Sequence, residues 1–229
     1  MRLPTRFLNH PGSPLSSISE MEKRLLKYIL EHSTPEDPVL GELYRETHIR
    51  FVNPNMSTGH LQGSLLTFIS RMINPERILE IGTFTGYSAI CLAKGLKPGG
   101  KIFTVEANDE LHDFASSYFH KAGLDKIIVQ LTGRAQEIVP GLDETFDLAF
   151  IDGDKREYTE YYNLVIRKMK PKGFILADNV LWDNKILEEG SHDPMTRGII
   201  EFNEMIREQK GIEKIILTVR DGVMLIRII

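Results

Sequence analysis

The chain has 229 residues and a net charge of −4, with acids and bases interspersed, so it lacks the basic stripe of a nucleic-acid binder. One cysteine, Cys91, excludes an intramolecular disulfide framework. No apolar run approaches the roughly 20 residues of a membrane span, and the first residues lack a signal-peptide core; no membrane partner and a cytoplasmic location are expected.

Residues 1–18 are rich in Pro, Ser and Gly and read as an irregular arm. Residues 19–229 read as one domain, with 19–58 a helical extension and 59–229 the core. Ser19 with Glu22 fits a capping box. Met21, Leu25, Leu26, Ile29 and Leu30 then recur at helical spacing. A short helix is expected over 38–47 and, after the loop FVNPNMSTGH, another over 61–72. From there strands and helices alternate. RILEIG is a strand and SAICLAKGL a helix. KIFTVEA is a strand and ELHDFASSYFHKAG a helix. KIIVQLTG and FDLAFID are strands, REYTEYYNLVIRKM a helix, and GFILADN a strand. A helix over 199–209 precedes a hairpin, KIILTV and GVMLIRII about an Arg220-Asp221-Gly222 turn. The expectation is an α/β fold, Rossmann-like and doubly wound. Its mainly parallel seven-stranded sheet carries an antiparallel C-terminal hairpin strand and helices on both faces.

In such sheets ligands bind beyond the carboxyl ends of the strands, where strand order reverses. The residues ending the strands are Glu80 with Gly82, Glu106, Gly133, Asp152, and Asp178 with Asn179. Gly82 and Gly86 let bare backbone approach a nucleoside. Glu106 can accept hydrogen bonds from both hydroxyls of a ribose. The pattern reads E-x-G-x-x-x-G, not the G-x-G-x-x-G that admits a pyrophosphate. With Glu80 beside it, the turn suits a ligand with a positive end, such as a sulfonium or an amino group. The alternative is a plain strand–helix turn.

If the strands ending in Asp152 and in Asp178-Asn179 are neighbours, their ends lie about 4.8 Å apart. Three oxygens then converge, and an all-oxygen set selects Mg²⁺, Mn²⁺ or Ca²⁺ over thiolate metals. The alternative is acids that cap helices or solvate strand ends. Lys155 follows Asp152 by three residues. It reads as a general base or as a surface lysine near a helix start.

The stretch ILEIGTFTGYSAI resembles motif I of S-adenosylmethionine-dependent methyltransferases. MSTGHLQG, GTFTGYS, FTVEAND, GRAQE, FDLAFIDGDKREY and ADNVLWDN resemble, in order, motifs of the cation-dependent O-methyltransferases of the catechol and caffeoyl-CoA type. The resemblance implies an S-adenosyl-L-methionine pocket lined by Met56, Glu80, Gly82, Ser88, Glu106, Ala135 and Asp152, with Gln136 along the adenine edge. It implies a divalent cation, Mg²⁺ first, on Asp152, Asp178 and Asn179. Lys155 would take the proton from a hydroxyl of a vicinal diphenol of catechol, caffeoyl or flavonoid type. The family usually has alanine between its two aspartates; this chain has Gly153, from which little effect is expected. A homodimer is implied as well. Trp182 reads as a stacking partner for the acceptor ring or as ordinary packing, and Arg197 as a partner for an acidic acceptor group or one half of a structural ion pair. The rival readings are a metal-independent methyltransferase acting on another nucleophile, a nucleotide-linked oxidoreductase, and a noncatalytic S-adenosylmethionine-binding module.

Overall fold

The structure, a computed structural model, describes residues 20–190 and 192–229. The chain divides after Asp37 into two compact units. Of the first, the described part is the helix α1 (Glu20–Glu31) and the turn after it. The Ser33 hydroxyl closes that helix by donating to the Ile29 carbonyl at 2.7 Å. The arm and Ser19 of the capping box lie outside the described residues.

The second unit is built on a seven-stranded sheet. Its strands are β1 (Arg77–Ile81), β2 (Lys101–Glu106), β3 (Ile128–Thr132), β4 (Phe146–Ile151), β5 (Met169–Ala177), β6 (Ile212–Leu217) and β7 (Val223–Ile228). They stand in the order β3-β2-β1-β4-β5-β7-β6. β1 to β5 are parallel, and β7 runs antiparallel to β5 and β6. This is the Rossmann-like, doubly wound sheet with an antiparallel C-terminal hairpin expected from the sequence.

Successive strand residues face opposite sides, so a sheet covered twice must be apolar on both. Ile78, Leu148 and Phe150 join one core with α2 (Pro38–Arg50), α3 (His60–Ile73), α4 (Tyr87–Ala93) and α5 (His112–Lys121). Leu79, Ala149 and Ile151 join the other, under α6 (Ala135–Ile138), α7 (Tyr158–Ile166) and α8 (Pro194–Glu208). Leu40 and Leu43 of α2 sit inside the first core, so α2 packs as part of this unit.

Of the boundaries that differ from the sequence expectation, two have a local cause. β5 begins at Met169, before Pro171, and its pairing with β4 shifts register between Phe146 and Leu148. Proline donates no hydrogen bond and is tolerated in a strand at such an irregularity. α8 begins at Pro194 rather than residue 199. The Asp193 carboxylate accepts from the N–H groups of Met195 (2.9 Å) and Thr196 (3.1 Å), with proline at the first helical position.

Strand order reverses at β1, which sits between β2 and β4, so the ends of β1 and β4 flank the open crevice.

Candidate active site

Five strand ends stand side by side at that crevice. The Asp178 N–H donates to the Ile151 carbonyl (3.0 Å) and the Asp152 N–H to that of Ile81 (2.8 Å). The Gly82 N–H donates to the Val105 carbonyl (2.9 Å) and the Gly133 N–H to that of Glu106 (2.8 Å). The ladder thus runs one residue past β1, β3, β4 and β5. It sets Asp178, Asp152, Gly82, Glu106 and Gly133 in a row.

The glycine turn is tight. At Gly82 φ is +101°, and a side-chain carbon there would run into the Asp152 carbonyl. Glycine alone meets both demands. Phe84 also lies at positive φ, and its N–H donates to Glu106 Oε2 at 2.8 Å. The Asn108 N–H donates to Glu106 Oε1 at 3.0 Å. Glu106 therefore ties the turn to the end of β2. An ionised carboxylate has about four acceptor sites, so capacity for hydroxyl donors remains.

Glu80 is fully buried. Burial pushes its carboxyl up to about 8, against the lowering effect of hydroxyls on Thr104 and Ser88. Thr104 Oγ1 donates to Glu80 Oε2 at 2.5 Å, while Oε1 has no hydrogen-bond partner. A buried acceptor without a donor is uncommon, and a cationic ligand with N–H groups satisfies it.

Lys155 is nearly buried, at 8 % exposed. Its Nζ donates to Asp152 Oδ1 at 2.7 Å and to the Gly153 carbonyl at 3.2 Å, and lies 4.9 Å from the Tyr158 ring centre. Burial, and next the charge on Asp152, push the Asp178 carboxyl up to about 7. Its Oδ1 accepts from the Asn179 N–H at 2.8 Å. Asn179 adopts φ +58°, a conformation asparagine tolerates better than most residues. Among the described residues no three His, Cys, Asp or Glu side chains gather to hold a metal. The site offers two carboxylates and an amide. A hard dication fits that donor set and removes the repulsion between the aspartates. Asp154 points elsewhere, and its carboxylate takes the Arg156 guanidinium.

Beside β3, Ala135 is buried at the start of α6. Gln136 Nε2 donates to Glu157 Oε2 (2.9 Å) and Glu160 Oε2 (3.0 Å). Two carboxylates on one end fix the amide orientation. That leaves Oε1 buried without a donor. Met56, 59 % exposed, sits in a 3-10 turn over Pro54–Met56.

The O-methyltransferase family sequence profile matches residues 30–229. The chain belongs to the O-methyltransferase family. A catechol O-methyltransferase of Niastella koreensis is 36 % identical over 168 residues, covering 72 % of this chain and 76 % of that protein. A caffeoyl-CoA O-methyltransferase of Petroselinum crispum is 32 % identical over 217 residues, covering 89 % and 90 %. The O-methyltransferase TomG of Streptomyces achromogenes, solved with S-adenosylmethionine, superposes with a TM-score of 0.85 at 29 % identity, covering 92 % of this chain and 99 % of that one. A Bacillus cereus O-methyltransferase solved with S-adenosylhomocysteine gives 0.83 at 30 %, covering 90 % and 97 %.

Two glycines of this O-methyltransferase lie tight against their surroundings. A Cβ at Gly153 would come within 2.7 Å of Tyr161 Cε2, and the Tyr161 hydroxyl is held by Glu157 at 2.6 Å. Tyrosine fills the space an alanine methyl would need. Gly198 of α8 presses on the turn carrying Lys155. A Cβ there would meet the Lys155 carbonyl, and Arg156 Cα at 2.9 Å. Gly198→Ala is therefore expected to destabilise by about 1–3 kcal/mol through overpacking. It should also lower kcat more than it raises the cofactor KM, because the displaced group is Lys155. Thermal melts and steady-state kinetics check both.

The acceptor-side residues are less closely placed. Trp182 is half-buried against the core beneath α8, with Lys185 Nζ 5.8 Å from its ring centre and its own Nε1 unpartnered. Arg197 is exposed on the first turn of α8 and makes no ion pair among the described residues. Sequence patterns missed Tyr158, whose hydroxyl donates to the Asp178 carbonyl at 2.9 Å and pins the ends of β4 and β5. They also missed Gln62, inside MSTGHLQG. Its amide faces Asp178 and favours the charged form, although no partner lies within hydrogen-bond distance of Nε2.

Proposed function

We propose that this O-methyltransferase moves the methyl group of S-adenosyl-L-methionine to one hydroxyl of a vicinal diphenol, aided by a divalent cation. The observation that carries the reading is the placement of Asp152 and Asp178 on adjacent strand ends beside the Gly82 turn, with Lys155 Nζ 2.7 Å from Asp152 Oδ1. The solved relatives carry S-adenosylmethionine or its demethylated product, and the named relatives are catechol and caffeoyl-CoA enzymes.

When bound, S-adenosylmethionine supplies an electrophilic methyl carbon and keeps the bonding pair on sulfur. Glu106 would hold its ribose, Gln136 Oε1 its adenine amino group, and Glu80 with Ser88 its cationic amino-acid end. Asp152, Asp178 and Asn179 would hold the cation, Mg²⁺ first, which supplies positive charge next to a hydroxyl losing its proton. Lys155 Nζ, in its neutral amine form, receives that proton and becomes the ammonium, and Asp152 Oδ1 keeps Nζ aimed at the crevice. Tyr158 and Gly198 keep the Lys155 turn fixed. General-base help contributes about 10²–10⁴-fold. Holding both reactants in attack geometry contributes more, about 7–11 kcal/mol. A cytoplasmic location and a homodimer complete the reading; exposed Phe68 and Met72 on α3 give a second copy apolar surface.

The test is methyl transfer from labelled S-adenosylmethionine to a panel of vicinal diphenols and matched monophenols, with Mg²⁺ and with chelator. Turnover on diphenols alone, lost to chelator and restored by Mg²⁺, is expected. Equal turnover in chelator removes the cation from the reaction.

A further inference from the structure

The turn between β6 and β7 has no role in the chemistry above, yet it reaches both walls of the crevice. Arg220 adopts φ +49°, a conformation that costs any residue with a side chain. Its guanidinium lies against the segment that carries Met56. Nη1 donates to the carbonyls of Ser57 (2.9 Å) and Thr58, and at 3.4 Å to Gln62 Oε1. Nη2 donates to the Asn55 carbonyl at 3.0 Å. These partners lie more than 150 positions earlier in the chain. By holding Gln62 Oε1, Arg220 leaves the amide nitrogen for the Asp178 side. The next two residues grip the other wall. Asp221 Oδ1 accepts from the Asp183 N–H at 2.8 Å, and the Asp221 carbonyl from that of Leu181 at 2.8 Å. The Gly222 carbonyl accepts from Val180 N–H at 3.1 Å. That loop carries Trp182.

We propose that the Arg220-Asp221-Gly222 turn is a bracket that sets the spacing between the Met56 segment and the Trp182 loop, with Arg220 as the positioning residue for the cofactor-side wall. A planar guanidinium can donate in several fixed directions at once, and here it gathers three backbone carbonyls and one amide. A lysine, with a single donor atom, cannot span the same acceptors. A left-handed arginine held by distant carbonyls makes sense only if its contacts matter more than its own backbone comfort. The inference rests on the reading that these two walls enclose cofactor and acceptor.

The test uses the full chain with Arg220→Gly and Arg220→Lys. Glycine accepts the φ of +49° without cost, so Arg220→Gly removes the grip and spares the turn. The first readout is amide hydrogen exchange of ligand-free protein, which requires no activity. Arg220→Gly should speed exchange at residues 51–62 by tenfold or more and leave the sheet amides unchanged. Its Kd for S-adenosylmethionine should rise by about tenfold, with a larger change in cofactor KM than in kcat. Arg220→Lys should recover only part of both. Exchange and Kd within twofold of wild type in Arg220→Gly would overturn the proposal. So would exchange raised throughout the domain, or an Arg220→Lys variant identical to wild type. Should the wild type methylate no diphenol while exchange at 51–62 still rises in Arg220→Gly, the bracket stands and the proposed reaction falls.

Discussion

Asp178→Ala is expected to abolish methyl transfer, whereas Lys155→Ala should leave a measurable residue of it. The ordering follows from what each side chain supplies. Lys155 is the proposed proton acceptor, and losing such a group costs about 10²–10⁴-fold. Asp178 sits at the end of β5 as one of two carboxylates for the proposed cation, and without it acceptor positioning fails as well. Positioning is the larger contribution, on the order of 7–11 kcal/mol. Loss of fold is not the expected cause. The Asp178 carboxyl is buried and pushed up to about 7, so its ionised form burdens the ligand-free protein. Asp178→Asn should therefore melt no lower than wild type at pH 8 without metal. Single-turnover assays at saturating Mg²⁺, paired with thermal melts, check the ordering. An Asp178→Ala enzyme faster than Lys155→Ala contradicts it.

Glu80→Gln is expected to weaken cofactor binding by about 10–100-fold, the loss of a charge-assisted contact worth roughly 1.5–3 kcal/mol. It should also change how binding depends on pH. In the ligand-free fold burial holds the Glu80 carboxyl at about 8, against 4.5 unfolded. A raised acid makes the folded state bind its proton more tightly than the unfolded state. Ligand-free wild type thus loses stability as pH rises from about 4.5 towards 8, then levels. Glu80→Gln lacks that decline and should melt higher at pH 9. A cationic ligand favours the carboxylate, so binding at pH 7 should release a proton from Glu80 and release none at high pH. Wild-type affinity then climbs with pH and flattens above about 8. Calorimetry in two buffers of different ionisation heat measures the release. Equal release by wild type and Glu80→Gln at pH 7 would disprove the assignment.

Much of the site is legible in the sequence because it sits on strand ends. Short continuous apolar runs locate β1, β4 and the end of β5, and the residue after each strand is then named without further information. Asp152, Asp178 and Gly82 come together for that reason alone. The start of α8 was legible too, since Asp193 before Pro194 is a cap signal, but the apolar periodicity begins only near Ile199. Arg220 was not. Its three-residue turn looks ordinary, and nothing local indicates a guanidinium bound to carbonyls far back in the chain. Tyr158 fails likewise, because it reads as an aromatic on the buried face of α7 until its hydroxyl is seen on the Asp178 carbonyl. Contacts at long separation leave no periodic trace.

The contact between Gly198 and the Lys155 turn bears on how such enzymes diversify. α8 is pinned there by backbone against backbone and is capped independently by Asp193. Insertions or deletions between Leu187 and Asp193 should thus leave the proposed proton acceptor where it is. New acceptors can be recruited by rewriting that stretch, with the transfer chemistry inherited intact.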